Sequence, residues 1–234
     1  MTKNPKELCY QDLKRRILTT ALEPGAALDE ASLSAEYGMS RTPLREVLQR
    51  LAGNGYLEIE ANRGASVASM NVQTLRTFFQ TAPMIYANIA RLAAENRTHA
   101  QLVALKADQR DFSQSVAKGD ATEAALSNHR FHAAIGRMAE NPYLMACLDR
   151  LLIDHTRLGQ TFYRPKAAAE KLIVMRAVQQ HDEMIAAIEA QEPSLAMEIT
   201  LQHWDLSRDR MERFVRPDPL PIDVVALKDR SHAL

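Results

Sequence analysis

The sequence predicts a mainly α protein in which an N-terminal winged helix-turn-helix precedes an all-α antiparallel helical bundle. The first observation is a pair of helical patterns separated by a glycine and followed directly by a strand-like alternation. The second is that strand signals stop after Met70, where six amphipathic helical patterns follow with short links. We expect one domain in residues 1–70, a helical domain in residues 71–216, and an extended tail in residues 217–234.

The composition is that of a globular protein without an overall charge. Of its 234 residues, 46% are hydrophobic and 25% are charged, which is enough to build a sizeable core. The formal net charge is +0, and residues 1–70 hold nine Lys/Arg and nine Asp/Glu. No overall positive field therefore attracts the chain to nucleic acid, and any DNA binding must come from a local arrangement of side chains.

The cysteines and the N-terminal residues indicate the cellular compartment in which the protein is expected. Cys9 and Cys147 lie far apart in the sequence and form neither a disulfide framework nor a thiolate metal motif. The N-terminus carries charge without an apolar segment behind it, and no run approaches the roughly 20 apolar residues of a membrane span. We expect a cytoplasmic protein with reduced cysteines and no membrane partner.

The first two helices are expected to form the start of a helix-turn-helix. Apolar side chains recur at helical spacing over residues 5–20, and Pro24-Gly25 follows as a break. A shorter helix is expected over residues 29–37, and Gly38 after it suits the left-handed position at a helix end. Two helices joined by a short turn with glycine are typical of the helix-turn-helix motif.

The third helix, expected over residues 40–51, combines an apolar face with arginines. Ser40 is placed to cap it, and Pro43 falls in the first turn, where a missing N–H costs little. Its leucines and valine share one face, which leaves Arg41, Arg45 and Arg50 on other faces. Such a helix suits a DNA major groove, where arginine binds guanine edges and phosphates. An ordinary amphipathic helix with solvated arginines explains this stretch equally well when it is taken alone.

A two-stranded wing is expected next. Residues 56–60 alternate as a strand does, residues 61–64 make a turn, and residues 65–68 return. Arg63 and Gly64 at the tip would let the backbone and one guanidinium approach phosphates or a minor groove closely. A purely structural hairpin is the alternative.

These residues together resemble the winged helix-turn-helix of GntR-type bacterial transcription regulators over residues 8–68. The segments that carry the resemblance are Leu22-Glu23-Pro24-Gly25, Leu28, Leu33, Gly38 to Leu48, Leu51, Gly55-Tyr56-Leu57 and Arg63-Gly64. The resemblance implies that DNA is contacted by Ser40, Arg41, Thr42, Arg45, Arg63 and Gly64. Some members carry an arginine near the start of the second helix, where this chain has Asp29-Glu30-Ala31.

The helical domain is expected to hold six helices. Its start and stop signals are capping residues such as Asn71 and the pair Asn141-Pro142, which places proline at a first helical position. The expected helices cover residues 71–96, 98–118, 120–139, 141–163, 167–190 and 192–216. Consecutive amphipathic helices with short links make an all-α bundle.

Histidines are the informative residues of this bundle. Asn128 and His132 are spaced i, i+4 and therefore share one helix face. His181 and His203 lie in apolar patterns on the last two helices. Three imidazoles and an amide oxygen converging from three helices can hold a divalent cation. A core histidine is more often a hydrogen-bonded packing residue, so spacing alone leaves both interpretations open.

Residues 75–210 look like the FCD ligand-binding domain of the FadR subfamily within that family. The segments that carry this resemblance are Asn128 to His132, Asn141 to Leu144, His181 with Ala186 to Ile188, and His203. In metal-binding members an aspartate and three histidines hold the ion, which implies Asn128, His132, His181 and His203 here. Asparagine in place of aspartate removes an anionic ligand, although its amide oxygen can still coordinate. Three imidazoles favour zinc or nickel.

The resemblance also bears on the effector. Members often carry an arginine and a glutamate on the first bundle helix, at positions that Ala82 and Tyr86 occupy here. Arg157 is a candidate substitute for binding an effector carboxylate, although a surface arginine is the default interpretation. Among the other histidines, His129 and His155 are secondary candidates for the cavity, while His99 and His232 are expected at the surface.

We therefore expect a homodimeric, ligand-responsive transcriptional regulator that binds an inverted-repeat operator on double-stranded DNA. A small organic acid would enter the bundle and coordinate the metal through an oxygen. One alternative is a metal-dependent enzyme in which the three histidines activate water. It lacks a general base, because Asp182 and Glu183 turn away from the face of His181. The other alternative is a metal-free regulator that binds an acyl ligand and uses the histidines for packing.

Overall fold

The structure, a computed structural model, describes residues 4–60 and 64–215. Over these residues the elements are α1 (Pro5–Leu18), β1 (Ala27–Leu28), α2 (Glu30–Tyr37), α3 (Arg41–Gly53), β2 (Leu57–Glu60), β3 (Gly64–Val67), α4 (Val72–Asn96), α5 (His99–Lys118), α6 (Ala121–Met138), α7 (Pro142–Phe162), α8 (Ala168–Glu189) and α9 (Pro193–Val215). The mainly α fold class is confirmed. The predicted wing residue Arg63, the predicted tail in residues 217–234 and His232 lie outside the described residues.

The wing belongs to a three-stranded antiparallel sheet in which β3 lies between β1 and β2. Strands β2 and β3 form the predicted hairpin, with Leu57 opposite Val67. Strand β1 is absent from the prediction because its two residues, Ala27-Leu28, are too few for an alternating pattern. They pair with Ala65 and Ser66 and so tie the segment after α1 to the wing.

The predicted cap of α3 is wrong in one respect. Ser40 occupies the N-cap position, but its hydroxyl forms no hydrogen bond with the helix. An N-cap side chain accepts from the second or third helical N–H, and the third residue of α3 is Pro43, which has none. Asp29, by contrast, caps α2 by accepting from the backbone N–H groups of Ala31 and Ser32.

The helical bundle pairs α4 with α9, α5 with α6, and α6 with α7. Its helices begin where the sequence places capping side chains: Asn71, Thr98, Asp120 and Asn141 each accept a hydrogen bond from the first turn of the helix that follows. Buried residues from six helices, α4 to α9, form the main core, among them Phe78, Leu105, Phe131, Leu148, Ile188 and Ile199. Among the described residues, no helix combines the length and the hydropathy that a membrane crossing requires.

The winged unit and the bundle share a junction built on α6 and α7. Leu126 and Ile153 belong to the hydrophobic core of the winged unit, although both come from bundle helices. Beside them, the fully buried guanidinium of Arg157 donates to the Ala68 carbonyl at 2.7 Å and pairs with Asp154. The winged unit is therefore packed onto the bundle instead of hanging from a free linker.

Candidate functional site

The N-terminal turn of α3 presents the residues that the sequence assigns to DNA. Ser40, Arg41, Thr42 and Arg45 are all exposed. The apolar face behind them is buried against α1 and α2 and consists of Leu44, Val47, Leu48 and Leu51. The helix is thus anchored by one face and open to solvent on the other, as a helix that enters a major groove must be.

The three arginines of this region have different surroundings. Arg50 is held within the fold, because it pairs with Glu7 at 2.7 Å and lies over the Tyr10 ring at 3.9 Å. The Nε of Arg45 donates to Glu30 at 2.9 Å, yet 62% of the Arg45 side chain remains exposed. Arg41 forms no ion pair with the described part of the chain. Arg41 and Arg45 are therefore available to a ligand, and Arg50 is engaged.

Helix α3 and the wing enclose a cleft of about 350 Å³. Arg45 lines it from the helix, and Gly64 lines it from the wing. Gly64 has a φ of +79°, a left-handed conformation that other residues rarely adopt. Apart from its chain neighbours, no atom of the described residues lies within 4 Å of where a Cβ would stand. The structure therefore brings two of the predicted DNA-contacting positions to one concave surface.

A second site lies inside the bundle, where the structure brings His132, His181 and His203 together. All three are buried, and one ring nitrogen of each lies within 4.8 Å of one from each of the others. They come from α6, α8 and α9, and their convergence was predicted. Asn128 lies one helical turn before His132 on α6 and is also buried. His155, a secondary candidate, contacts the trio through its ring, whose centre is 5.1 Å from that of His132.

Two glutamines orient the rings of this trio. The Gln109 Nε2 donates to the Val178 carbonyl and to the Asp182 carboxylate, both at 3.0 Å, which leaves its Oε1 to accept from His181 Nδ1 at 3.0 Å. In the same manner Gln180 Oε1 lies 3.1 Å from Nδ1 of His203. When Nδ1 carries the proton, Nε2 is the nitrogen with a free lone pair. Both rings are thereby set to offer Nε2 as a metal ligand.

Buried polar atoms around the trio lack partners. Among the described residues, Asn128 Oδ1, His132 Nε2 and His181 Nε2 are buried and form no hydrogen bond. An unpaired buried acceptor costs about 1–3 kcal/mol. Three such acceptors on one set of predicted ligands fit a bound cation, because each has a lone pair that a metal ion would use.

Gln109 and Gln180 are the functional candidates that the sequence reasoning missed. A glutamine inside an amphipathic helix looks like an exposed residue, and both are in fact buried, at 4% and 3% exposure. A weak signal exists for Gln180, which directly precedes His181. No sequence signal connects Gln109 with His181, because they lie on different helices.

The space beside the trio is small. A void of about 10 Å³ is bounded by residues that include Tyr86, His132, Met184 and Thr200. One water molecule needs about 10–15 Å³ by this measure. Tyr86 fills the position expected to hold a glutamate, and its hydroxyl lies 2.7 Å from Nδ1 of His155. Of the three histidines, this void touches His132.

Arg157 lies elsewhere than predicted. The default interpretation as a surface arginine is wrong, because the residue is 2% exposed. The role as an effector ligand is not supported, because its guanidinium is engaged by Asp154 and by the Ala68 carbonyl at the junction. The position of Arg157 in the helical pattern cannot show whether it is exposed, faces an effector or lies at the junction. Only the packing of the winged unit on α7 decides which groups contact its side chain.

Burial keeps the histidines neutral. It is the main cause that lowers the pKa of His155 to about 3 and that of His203 to about 4. The pKa values of His132 and His181 are also lowered well below the ordinary value, first by burial and then by the neighbouring imidazoles. A neutral imidazole is the form that coordinates a metal ion.

This shift predicts that the metal-free protein is sensitive to mild acid. The pKa of His155 is about 3 in the folded state and about 6.5 when unfolded, so below pH 6.5 the unfolded state binds the additional proton. Stability is then fully present above pH 6.5 and is lost as the pH falls towards 3, by up to about 1.4 kcal/mol per pH unit for this group. Urea unfolding of chelator-treated protein at pH 7.5 and pH 5 measures the slope. His155→Asn should reduce the slope by the share of this one group, since His203 contributes a shift of the same sign, and equal slopes would contradict the assignment.

Comparisons with known proteins match this architecture. The family model described as bacterial regulatory proteins of the gntR family matches residues 5–67, and the FCD domain model matches residues 79–206. The HTH-type transcriptional regulator McbR of Escherichia coli is 26% identical over 181 residues, which are 77% of this chain and 80% of McbR. The gluconate operon transcriptional repressor of Bacillus subtilis is 24% identical over 212 residues, 86% of this chain and 82% of the repressor.

A solved structure supports the fold. The structure of E. coli McbR/YncC aligns with a TM-score of 0.76 at 22% identity, covering 91% of this chain and 99% of that chain. The HTH-type transcriptional repressor RspR of E. coli is 22% identical over 194 residues, 83% of each protein. These relatives are named as regulators of transcription, and the enzyme alternative finds no support among them.

Proposed function

The chain belongs to the gntR family of bacterial regulatory proteins and carries an FCD domain. From this premise we infer which residues serve which function. The protein is a DNA-binding transcriptional regulator whose helical domain responds to a small metabolite. It is not an enzyme, in keeping with the named functions of its relatives. We assign DNA binding to residues 1–70, effector binding, metal binding and dimerisation to residues 71–216, and a tail to residues 217–234.

We propose that the operator is read by the exposed turn of α3, supported from the wing. Ser40, Arg41, Thr42 and Arg45 would contact the major groove, and Arg63 and Gly64 would contact the backbone or the minor groove. The observation that carries this proposal is the anchoring of α3 by a buried apolar face, which leaves Arg41 and Arg45 exposed. In the free protein Glu30 pairs with Arg45, so a DNA contact through the Arg45 Nε would have to displace this carboxylate. Glu30 lies at the start of the second helix, the region where some members carry an arginine.

We expect Arg41→Ala and Arg45→Ala to reduce discrimination between operator and unrelated DNA. Each base-reading contact is worth about 1–3 kcal/mol, so each variant should lose roughly fivefold to 150-fold in specificity. Fluorescence anisotropy with operator and scrambled duplexes at one salt concentration measures this ratio. Arg50→Ala is the matched control on the same helix, because Arg50 is bound to Glu7. Unchanged specificity of the Arg45 variant would overturn the assignment.

A symmetric partner is part of this proposal. We propose that the protein acts in the cytoplasm as a homodimer of the FadR subfamily, in which two α3 helices read the halves of an inverted repeat. A dimer is required for tight specific binding because one recognition helix contacts only a few base pairs. The FCD-containing domain, which is separate from the DNA-contacting turn, is the part assigned to dimerisation.

We further propose that His132, His181 and His203 hold a divalent metal ion, zinc or nickel, with Asn128 as a neutral fourth ligand. The support is the chemistry of the donor set: neutral buried imidazoles, glutamines that direct Nε2 inwards, and unpaired acceptors. A bound ion would cross-link three helices of the bundle. The metal-free alternative, in which the histidines only pack, leaves the unpaired acceptors unexplained.

The small void changes the expectation for the effector. An organic acid that coordinates the metal would need more room than the roughly 10 Å³ beside His132, so Tyr86 or Met184 would have to move aside.

A further inference from the structure

Glu30 holds the guanidinium of Arg45 by one edge. Its carboxylate Oε2 accepts from Arg45 Nε at 2.9 Å. Within residues 4–60 and 64–215 this is the one hydrogen bond of the Arg45 side chain, so both of its Nη groups stay available. The Arg45 side chain is 62% exposed and that of Glu30 is 27% exposed. The arginine therefore extends further into solvent than the carboxylate that holds it.

The carboxylate of Glu30 is itself held in place by its helix. Glu30 is the first residue of α2 and directly follows the N-cap Asp29, which accepts from the backbone N–H groups of Ala31 and Ser32. The hydroxyl of Ser32 donates to the same carboxylate of Asp29 at 2.6 Å. Because this first turn is capped, the backbone from which Glu30 extends is restrained. Arg45 is thus supported from a second, fixed helix.

The edge of Arg45 that stays available suits a guanine. A guanidinium is a planar fork with five N–H donors, one on Nε and four on the two Nη groups. Arginine binds guanine by two hydrogen bonds to O6 and N7, and the two Nη groups can make both. With Nε bonded to Glu30, this end-on approach leaves the ion pair intact. A side chain already held in its binding conformation loses less conformational entropy when it binds.

We propose that Glu30 is a positioning residue for operator recognition, which holds the Arg45 guanidinium end-on for a guanine edge and disfavours its contact with phosphates. The inference rests on the proposed function, in which Arg45 contacts the major groove. A phosphate on the Nε side meets a donor that is already used and a carboxylate that repels it. A guanine edge has no net charge and is not repelled in this way. Glu30 therefore weakens binding to DNA in general while it favours a guanine.

Arg41 provides the contrast on the same helix. It lies one turn before Arg45, is exposed, and has no ion-pair partner in the described part of the chain. A guanidinium that is not held by one edge can turn to a phosphate as readily as to a base. The position of Glu30 thus distinguishes Arg45 from Arg41, and removal of Glu30 should act through Arg45.

Fluorescence anisotropy of the full-length protein tests the proposal. The two probes are an operator duplex, selected from a random library by the wild type, and a scrambled duplex. Glu30→Ala should lower the ratio of operator to scrambled affinity about three- to tenfold and raise the affinity for the scrambled duplex about two- to fivefold, because the released Arg45 can bind a phosphate. A variant that folds poorly would instead lose affinity for both duplexes. Glu30→Gln should recover part of the ratio, since its amide oxygen can still accept from Nε.

A double-mutant cycle shows whether Glu30 acts through Arg45. In an Arg45→Ala background, Glu30→Ala should leave the affinity ratio unchanged. Glu36→Ala is the matched control, because Glu36 lies on the same helix and pairs with Arg16 at 2.9 Å but does not line the cleft between α3 and the wing. An unchanged ratio in Glu30→Ala, or an equal loss in the Arg45→Ala background, would overturn the positioning role alone. A wild type that selects no operator would overturn the proposed function and this role with it.

Discussion

Replacing Arg157 with alanine is expected to destabilise the protein by about 3–5 kcal/mol. The guanidinium is fully buried, and its removal leaves Asp154, whose side chain is 7% exposed, as a buried charge without its main partner. The Ala68 carbonyl at the end of the wing loses its 2.7 Å hydrogen bond as well. Urea unfolding of wild type and variant, followed by circular dichroism, measures the difference.

Arg150→Ala is the control for this effect. Arg150 also faces Asp154, at 3.8 Å, but its side chain is 47% exposed and solvent screens the pair. Its removal should cost less than about 1 kcal/mol. If Arg157→Ala cost no more than Arg150→Ala, the junction would not depend on the buried pair. An Arg157→Met, Asp154→Leu double variant should regain part of the stability, because it removes both charges together.

The second large effect is expected at the histidine trio. His181→Ala should weaken metal binding by more than about 100-fold, because loss of an outer-shell partner alone typically costs 10- to 100-fold and His181 is a proposed direct ligand. Competition with a chromophoric chelator measures the affinity, and native mass spectrometry of the protein as purified reports the ion. His99→Ala is the control, because His99 is exposed. A wild-type protein that fails to bind zinc or nickel would favour the metal-free alternative.

Asn128→Asp sharpens this test. A carboxylate at this position adds an anionic ligand to a site whose described donors are all neutral, so the variant should bind the ion more tightly than wild type. Equal affinity in the two proteins would show that residue 128 does not coordinate. Gln109→Leu should lower the metal affinity by about 10- to 100-fold, because it removes the hydrogen bond that orients the His181 ring but leaves the proposed ligand in place.

Local chemistry explains why most of the fold could be predicted. Caps such as Thr98 and Asn141 and the left-handed glycines Gly38 and Gly119 act within a few residues, so each helix boundary was predicted to within two residues. The fold class and the function as a DNA-binding regulator are confirmed. The domain boundaries and the assigned site residues stay predictions.

Features that depend on contacts between distant parts of the chain could not be predicted from the sequence. Strand β1 exists because β3 is beside it. Ser40 occupies the N-cap without a side-chain hydrogen bond, and Pro43 removes one of the two N–H groups that it could accept from. The i, i+4 spacing fixes only Asn128 and His132, while the approach of His181 and His203 depends on how three helices pack.

The junction also limits how this protein can be recombined with others. Since α6 and α7 supply Leu126 and Ile153 to the core of the winged unit, a chimaera that transfers residues 1–70 onto a foreign effector domain uncovers an apolar face. The Ala68 carbonyl would lose Arg157 in the same exchange. A functional chimaera must therefore include both the winged unit and the surface of α6 and α7 that completes its core.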